Sequence, residues 1–165
     1  MTRYFLHPGA VRFSTSTELV ETILGSCVSI TLRDPVSGLA AISHCVLPNA
    51  PAGVAEAERF RYCDTAIPAM LAEFAGRQVP ASRIEVKLFG GAEVLPGVER
   101  PAVGPTVGAL NSTRALAVLA SFGFTPSAKR ITGVVGLHLI FDTANGDVWV
   151  RPLATSTPLA KEQHA

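Results

Sequence analysis

Charge of either sign is scarce in this chain: 14 lysines and arginines stand against 13 aspartates and glutamates among 165 residues, for a net charge of +1. No basic cluster rises above that balance, so nothing in its field recruits nucleic acid or an anionic membrane, and partner choice falls to shape and local contacts. Long apolar runs are missing too. The longest, such as Val134 to Phe141, fall well short of the roughly 20 residues that cross a bilayer. The opening segment Met1-Thr2-Arg3-Tyr4-Phe5-Leu6-His7-Pro8-Gly9 lacks the apolar core of a signal peptide, so a cytoplasmic protein is expected. Cysteines number three, an odd count without a C-x-x-C pair, which argues against a disulfide framework. No internal repeat or low-complexity tract is present.

What is there is a chain 48% hydrophobic, enough to bury a core over one domain at residues 1–157, with a frayed tail expected at 158–165. Val11-Arg12-Phe13 and Leu19 to Ile23 read as short strands around a polar break. Cys27 to Leu32 and Leu39 to Val46 read as a hairpin turning at Asp34-Pro35-Val36-Ser37-Gly38, where Pro presets its own φ and Gly accepts φ > 0. Ala66, Ile67, Met70, Leu71 and Phe74 have helical spacing, with Thr65 as the expected cap. Arg83 to Phe89 alternates as a strand ended by Gly90-Gly91, and a long loop runs through Pro96, Pro101 and Pro105. Asn111 or Ser112 is the expected cap of a second helix ending at Gly123. Gly136 to Asp142 and Asp147 to Leu153 read as strands joined through Asn145-Gly146, a signal for a tight primed turn. Strands outnumber helices without regular alternation, which places the fold in the α+β class.

The chemistry concentrates at Cys27 and His44. Facing residues of an antiparallel pair have a constant sum, and 27 + 44 has its midpoint inside the expected turn, so Cys27 faces His44 or its diagonal neighbour. A register slip of one residue would separate them. An imidazole that takes the thiol proton arms a nucleophile, and an imidazolium neighbour would depress the thiol pKa. The small Gly25 and Ser26 would let a substrate carbonyl approach backbone N–H groups as an oxyanion site. The ordinary alternative is an inert cysteine and a structural histidine. Cys27, His44, Cys45 and Cys63 are zinc-competent, but successive strand residues point to opposite faces, so His44 and Cys45 cannot share one ion and no metal is expected. Cys63, with no adjacent base, is expected to be replaceable. Gly90-Gly91 has no Walker lysine and reads as a turn; His7 and His138 have no partner suggested by local spacing.

One combination of motifs is specific: Leu24-Gly25-Ser26-Cys27-Val28, then His44 with Leu47-Pro48, then Lys87-Leu88-Phe89-Gly90-Gly91-Ala92. His7-Pro8-Gly9, Asp34-Pro35, Gly38, Arg61-Tyr62, Ala66, Val107-Gly108-Ala109, Asn111 and Val148 to Arg151 accompany it in order. With these the chain resembles the CheD family of chemoreceptor glutamine deamidases. The resemblance implies a layered sandwich of mixed β-sheet with flanking helices, similar to toxin-type cysteine deamidases. It implies Cys27 as nucleophile and His44 as base, with Thr22 rather than Glu21 as the third member that orients the histidine. It implies further an amidohydrolase of the protein-glutamine glutaminase type that needs no metal or organic cofactor. Its substrates would be cytoplasmic receptor helices at receptor arrays, and a CheC-type phosphatase is a possible partner. A non-catalytic module that docks receptors or such a phosphatase is the alternative. Departures from the family pattern include Leu110 where an arginine is usual, Thr132 to Leu137 in place of a G-G-x-x-G-R type segment, and Cys45 where an aromatic is common.

Overall fold

The computed structural model describes residues 1–93 and 103–154. The loop at Pro96 and Pro101 and the tail at 158–165 lie outside them. Nine strands appear among these residues: β1 Thr2–Phe5, β2 Val11–Ser14, β3 Glu18–Leu24, β4 Val28–Arg33, β5 Ala40–Ser43, β6 Glu85–Gly90, β7 Ala128–Ile131, β8 Leu137–Asp142 and β9 Val148–Pro152. Two α-helices, α1 Cys63–Gly76 and α2 Val107–Ser121, join them. The strands form a four-stranded sheet in the order β1-β3-β8-β9 and a five-stranded sheet in the order β2-β5-β4-β6-β7.

Two apolar layers hold these pieces together. On one face of the five-stranded sheet, Val28, Ile30, Leu32, Ala41, Cys45, Val86 and Leu88 pack with Ile67, Met70, Phe74, Ala115 and Leu119 of the two helices. On its other face, Ala40, Ile42 and Phe89 meet Val20, Leu24, Leu139 and Phe141 of the four-stranded sheet, with Leu6 between. The order is therefore helices, sheet, sheet, an α+β sandwich whose central strands alternate between two different cores.

Local sequence explains most elements and misplaces several ends. The hairpin turn forms because the buried Asp34 carboxylate accepts from the Val36 and Ser37 amides, the Ser37 hydroxyl (2.6 Å) and Arg83 (2.7 Å). Burial alone would raise that carboxyl, but these donors outweigh it and hold it well below the ordinary carboxylate range. α1 buries Ala66, Ile67, Met70, Leu71 and Phe74 as its spacing requires, yet it begins at Cys63. Thr65 is not the cap: its hydroxyl donates back to the Arg59 and Tyr62 carbonyls. The cap of α2 is Thr106, which accepts from the Ala109 amide at 3.2 Å, so Asn111 and Ser112 lie inside the helix, buried. The β8–β9 connection is a longer loop, not a primed turn: Gly146 alone in it has positive φ, and the Asp142 and Asn145 side chains accept local amides. β1 and β7 carry no clear strand pattern; each is a parallel edge strand, on β3 and β6 respectively.

Candidate active site

Cys27 sits on the crossover between the sheets. β3 ends at Leu24 in the four-stranded sheet and β4 begins at Val28 in the five-stranded one, so Gly25-Ser26-Cys27 is the corner that connects them. His44 follows the last residue of β5. The β4–β5 register pairs Thr31 with Ile42 and Leu32 with Ala41, and an isolated bridge continues it to Val28 and Cys45. Its sum is 73, so Cys27 opposes Val46 and His44 is its diagonal neighbour. The shift is two residues and preserves parity. Val28 and Cys45 enter the helix-side core while Cys27 and His44 turn together toward the second sheet.

His44 is held on all sides. Between the ladder segments, Ser29 donates to the Ser43 carbonyl and Ser43 Oγ accepts from the Ile30 amide, standing in for regular pairing. The His44 N–H instead donates to the Ala10 carbonyl (3.0 Å) and its carbonyl accepts from Gly9 (2.8 Å), which explains the use of the His7-Pro8-Gly9 segment. From across the sandwich, Thr22 Oγ1 lies 2.7 Å from His44 Nδ1 and donates its proton to the Leu6 carbonyl at 2.8 Å. A hydroxyl has one proton; spent on Leu6, it leaves Thr22 to accept from Nδ1–H. Nε2 is then unprotonated, the tautomer of a general base. Glu21, the neighbouring position, points outward and meets His138 Nε2 at 3.0 Å, while Arg151 donates to His138 Nδ1 at 3.2 Å. His138 therefore has partners that its local spacing did not suggest.

The resting pair is uncharged. Burial pushes the Cys27 thiol up to about 11, with the Cys45 sulfur adding to the rise and the Arg61 guanidinium opposing it. Burial also brings His44 down to about 4, against the pull of the Leu6 carbonyl. The depressed thiol pKa expected from the sequence is thus reversed: His44 is only 2% exposed, and a dry imidazole stays neutral and cannot supply the charge. No hydrogen bond joins the Cys27 sulfur to His44 among the described residues, so the thiol and the imidazole do not share a proton in this structure.

The corner rests on residues that sequence reasoning left aside. The Gly25, Ser26 and Cys27 carbonyls accept, in turn, from the Ala92 amide (2.9 Å), Asn111 Nδ2 (2.9 Å) and the Gly91 amide (2.8 Å). A Cβ on Gly90, at φ +107°, would collide with the Cys27 carbonyl oxygen, and one on Gly91 with Ser112 Oγ. Gly90-Gly91 is therefore the seat of the Cys27 corner, more than a turn after a strand. The usable signal was Asn111 itself, a poor helix former in the second turn of α2, past the position a cap would take. Cys45 and Cys63 sit apart in the helix-side core, both fully buried, with the Cys63 sulfur 3.8 Å from the Asn111 carbonyl.

The family described as CheD chemotactic sensory transduction matches residues 46–152. A protein of Geobacter sulfurreducens named probable chemoreceptor glutamine deamidase CheD 2 is 39% identical over 149 residues, covering 90% of this chain and 89% of that protein. Similarly named proteins of Nitratidesulfovibrio vulgaris (38% over 144 residues, 85% of this chain and 72% of that protein) and Albidiferax ferrireducens (34% over 157 residues, 93% and 90%) also match. These relatives extend the likeness across the Cys27 corner and β5, upstream of the family match. On that extent of similarity, joined to the sandwich fold, the chain belongs to the CheD family.

Proposed function

We propose that this chain hydrolyses specific glutamine side chains to glutamate on the cytoplasmic helices of chemoreceptors, acting at receptor arrays in the adaptation of bacterial chemotaxis. The names of its relatives support the substrate class. The observation that carries the chemistry is the Thr22–His44 hydrogen bond, which leaves a free Nε2 on the face shared with Cys27.

In the reaction, His44 Nε2 takes the Cys27 proton as the sulfur attacks the carboxamide carbon. The C–S bond forms and the carbonyl π pair moves to oxygen. Amides of the Gly25-Ser26-Cys27 corner receive that oxyanion. Imidazolium, stabilised by Thr22 and the Leu6 carbonyl, returns the proton to nitrogen, the C–N bond breaks, and ammonia leaves a glutamyl thioester. Water then attacks the thioester while His44 accepts its proton. Collapse frees the carboxylic acid, and the proton on His44 restores the thiol. Every proton is supplied by the dyad or by water, and no step uses a metal or an organic cofactor.

Incubation with a receptor cytoplasmic fragment, followed by mass mapping of glutamine to glutamate changes of about 1 Da, tests the reading. Conversion at defined glutamines that requires Cys27 is expected. A chain that binds the fragment and leaves every glutamine intact is a docking module, alone or beside a CheC-type phosphatase, and the proposal is then wrong.

A further inference from the structure

We propose that Asn111 is a positioning residue that aims the Cys27 backbone amide at the reacting atoms by holding the Ser26 carbonyl on the opposite side of the peptide. The inference rests on the thioester reading above and names a residue to which that reading gives no role.

Asn111 is fully buried in α2, and its amide nitrogen has two protons for two acceptors: the Ser26 carbonyl at 2.9 Å and the Val46 carbonyl at 3.0 Å. Ser26 precedes Cys27, and Val46 lies two residues beyond His44. One side chain therefore ties together the two segments that carry the thiol and the imidazole.

The direction of these bonds matters more than their number. In a planar trans peptide the C=O and the following N–H point opposite ways. Asn111 draws the Ser26 carbonyl toward the helix layer, so the Cys27 N–H points away from it, to the face where the thiol and His44 lie. No backbone or side-chain oxygen accepts from that amide among the described residues; its contact is with the sulfur of its own residue. An N–H on this half-buried residue with no protein oxygen to bond is open to the thiolate or the oxyanion. The corner's other two carbonyls are tied by backbone amides of Ala92 and Gly91, which no substitution short of proline removes. Asn111 supplies the one bond of the three that comes from a side chain and can be deleted without changing the backbone. Without it the Ser26–Cys27 peptide is free to rotate, and a carbonyl oxygen would then face the developing negative charge.

The test follows Cys27 by iodoacetamide labelling across pH with peptide mass spectrometry, which needs no substrate. For folded Asn111→Ala the labelling midpoint should move above that of the wild type. On a receptor fragment kcat should fall about a hundredfold with KM little changed. Simple loosening has the opposite sign, since an exposed Cys27 would label faster with an ordinary thiol midpoint. That result, or wild-type labelling and turnover, overturns the proposal. Asn111→Ser, read the same way, serves if the alanine variant does not fold. NMR of the unmutated chain adds a reading without any variant: the Cys27 amide proton should shift downfield in step with thiol ionisation, and an amide that ignores it refutes the assignment. The labelling and NMR readouts stand if the receptor fragment proves not to be a substrate, and deamidation that survives in Cys27→Ala sinks the thioester reading while leaving those two readouts in place.

Discussion

The two faces of one short stretch of sheet differ completely. Val28 and Cys45, paired across β4 and β5, enter the core shared with α1 and α2, where Cys63 joins them. Cys27 and His44, each one residue earlier, face the second sheet, where Thr22, Leu6 and the corner backbone surround them with polar partners. Sulfur on the first face is packing. The Cys63 thiol is raised by hydrogen bonding with the free Cys45 thiol and by burial, so it stays protonated and inert. Sulfur on the second face is half-buried, on the side of the imidazole whose Nδ1 is bonded to Thr22. A single step along the strand separates packing from the proposed chemistry because strand side chains alternate.

Mutation can break this contrast, and the largest effect is expected at Cys27. Cys27→Ala should lower deamidation by at least about a thousandfold while the melting temperature holds, since a small thiol is lost and nothing replaces the nucleophile. Cys45→Ala should do the reverse and keep turnover at a permissive temperature. Ammonia release and thermal melts on the two proteins read both halves; a Cys27→Ala protein with wild-type turnover would erase the distinction between the faces.

Thr22→Val keeps the shape and removes the hydroxyl, leaving His44 Nδ1–H and the Leu6 carbonyl without their shared partner. A drop in kcat of roughly 10- to 100-fold is expected, as for loss of a group that orients a histidine. Unchanged kcat would mean that the tautomer is set elsewhere.

Acid stability sharpens the contrast further. A histidine whose folded pKa lies below its unfolded one resists protonation, so its contribution is complete above about 6.5 and is lost as pH falls toward about 4. The loss is on the order of 3 kcal/mol across that window. Carboxylates held low by partners, Glu18 bonded to Arg12 and Asp34 in its turn, lose theirs at more acidic pH. Urea melts of His44→Gln between pH 7 and 4.5 should therefore be flatter than those of the wild type; parallel curves would show that His44 titrates normally. The smallest effect belongs to Cys63→Ala. Its full burial corrects the expectation of a neutral change: about 1 kcal/mol of stability should go, with turnover intact, by denaturant melting beside the activity assay.

Legibility followed the range of the interaction. The Asp34 to Gly38 turn is local chemistry, and with strand alternation it put Cys27 and His44 on one face even though the true register is two residues away. Thr22 was harder. Glu18-Leu19-Val20-Glu21-Thr22-Ile23-Leu24 is not cleanly alternating, so its pattern does not say whether position 21 or 22 faces inward; packing against the five-stranded sheet turned 18, 20, 22 and 24 in. β1 and β7 escaped because parallel edge strands have no hairpin turn to announce them. Asn111 passed for a cap because the carbonyls it holds are 85 and 65 residues away.

The sequence by itself determined the α+β class, both helices, the hairpin and the shared face of Cys27 and His44, since each follows from local spacing, turn chemistry and strand alternation. Only the tertiary structure decided which polar side chain reads the imidazole, which way the Cys27 amide points and that the thiol rests uncharged. Those properties belong to the desolvated space between layers, where burial outweighs the charges that spacing alone would suggest.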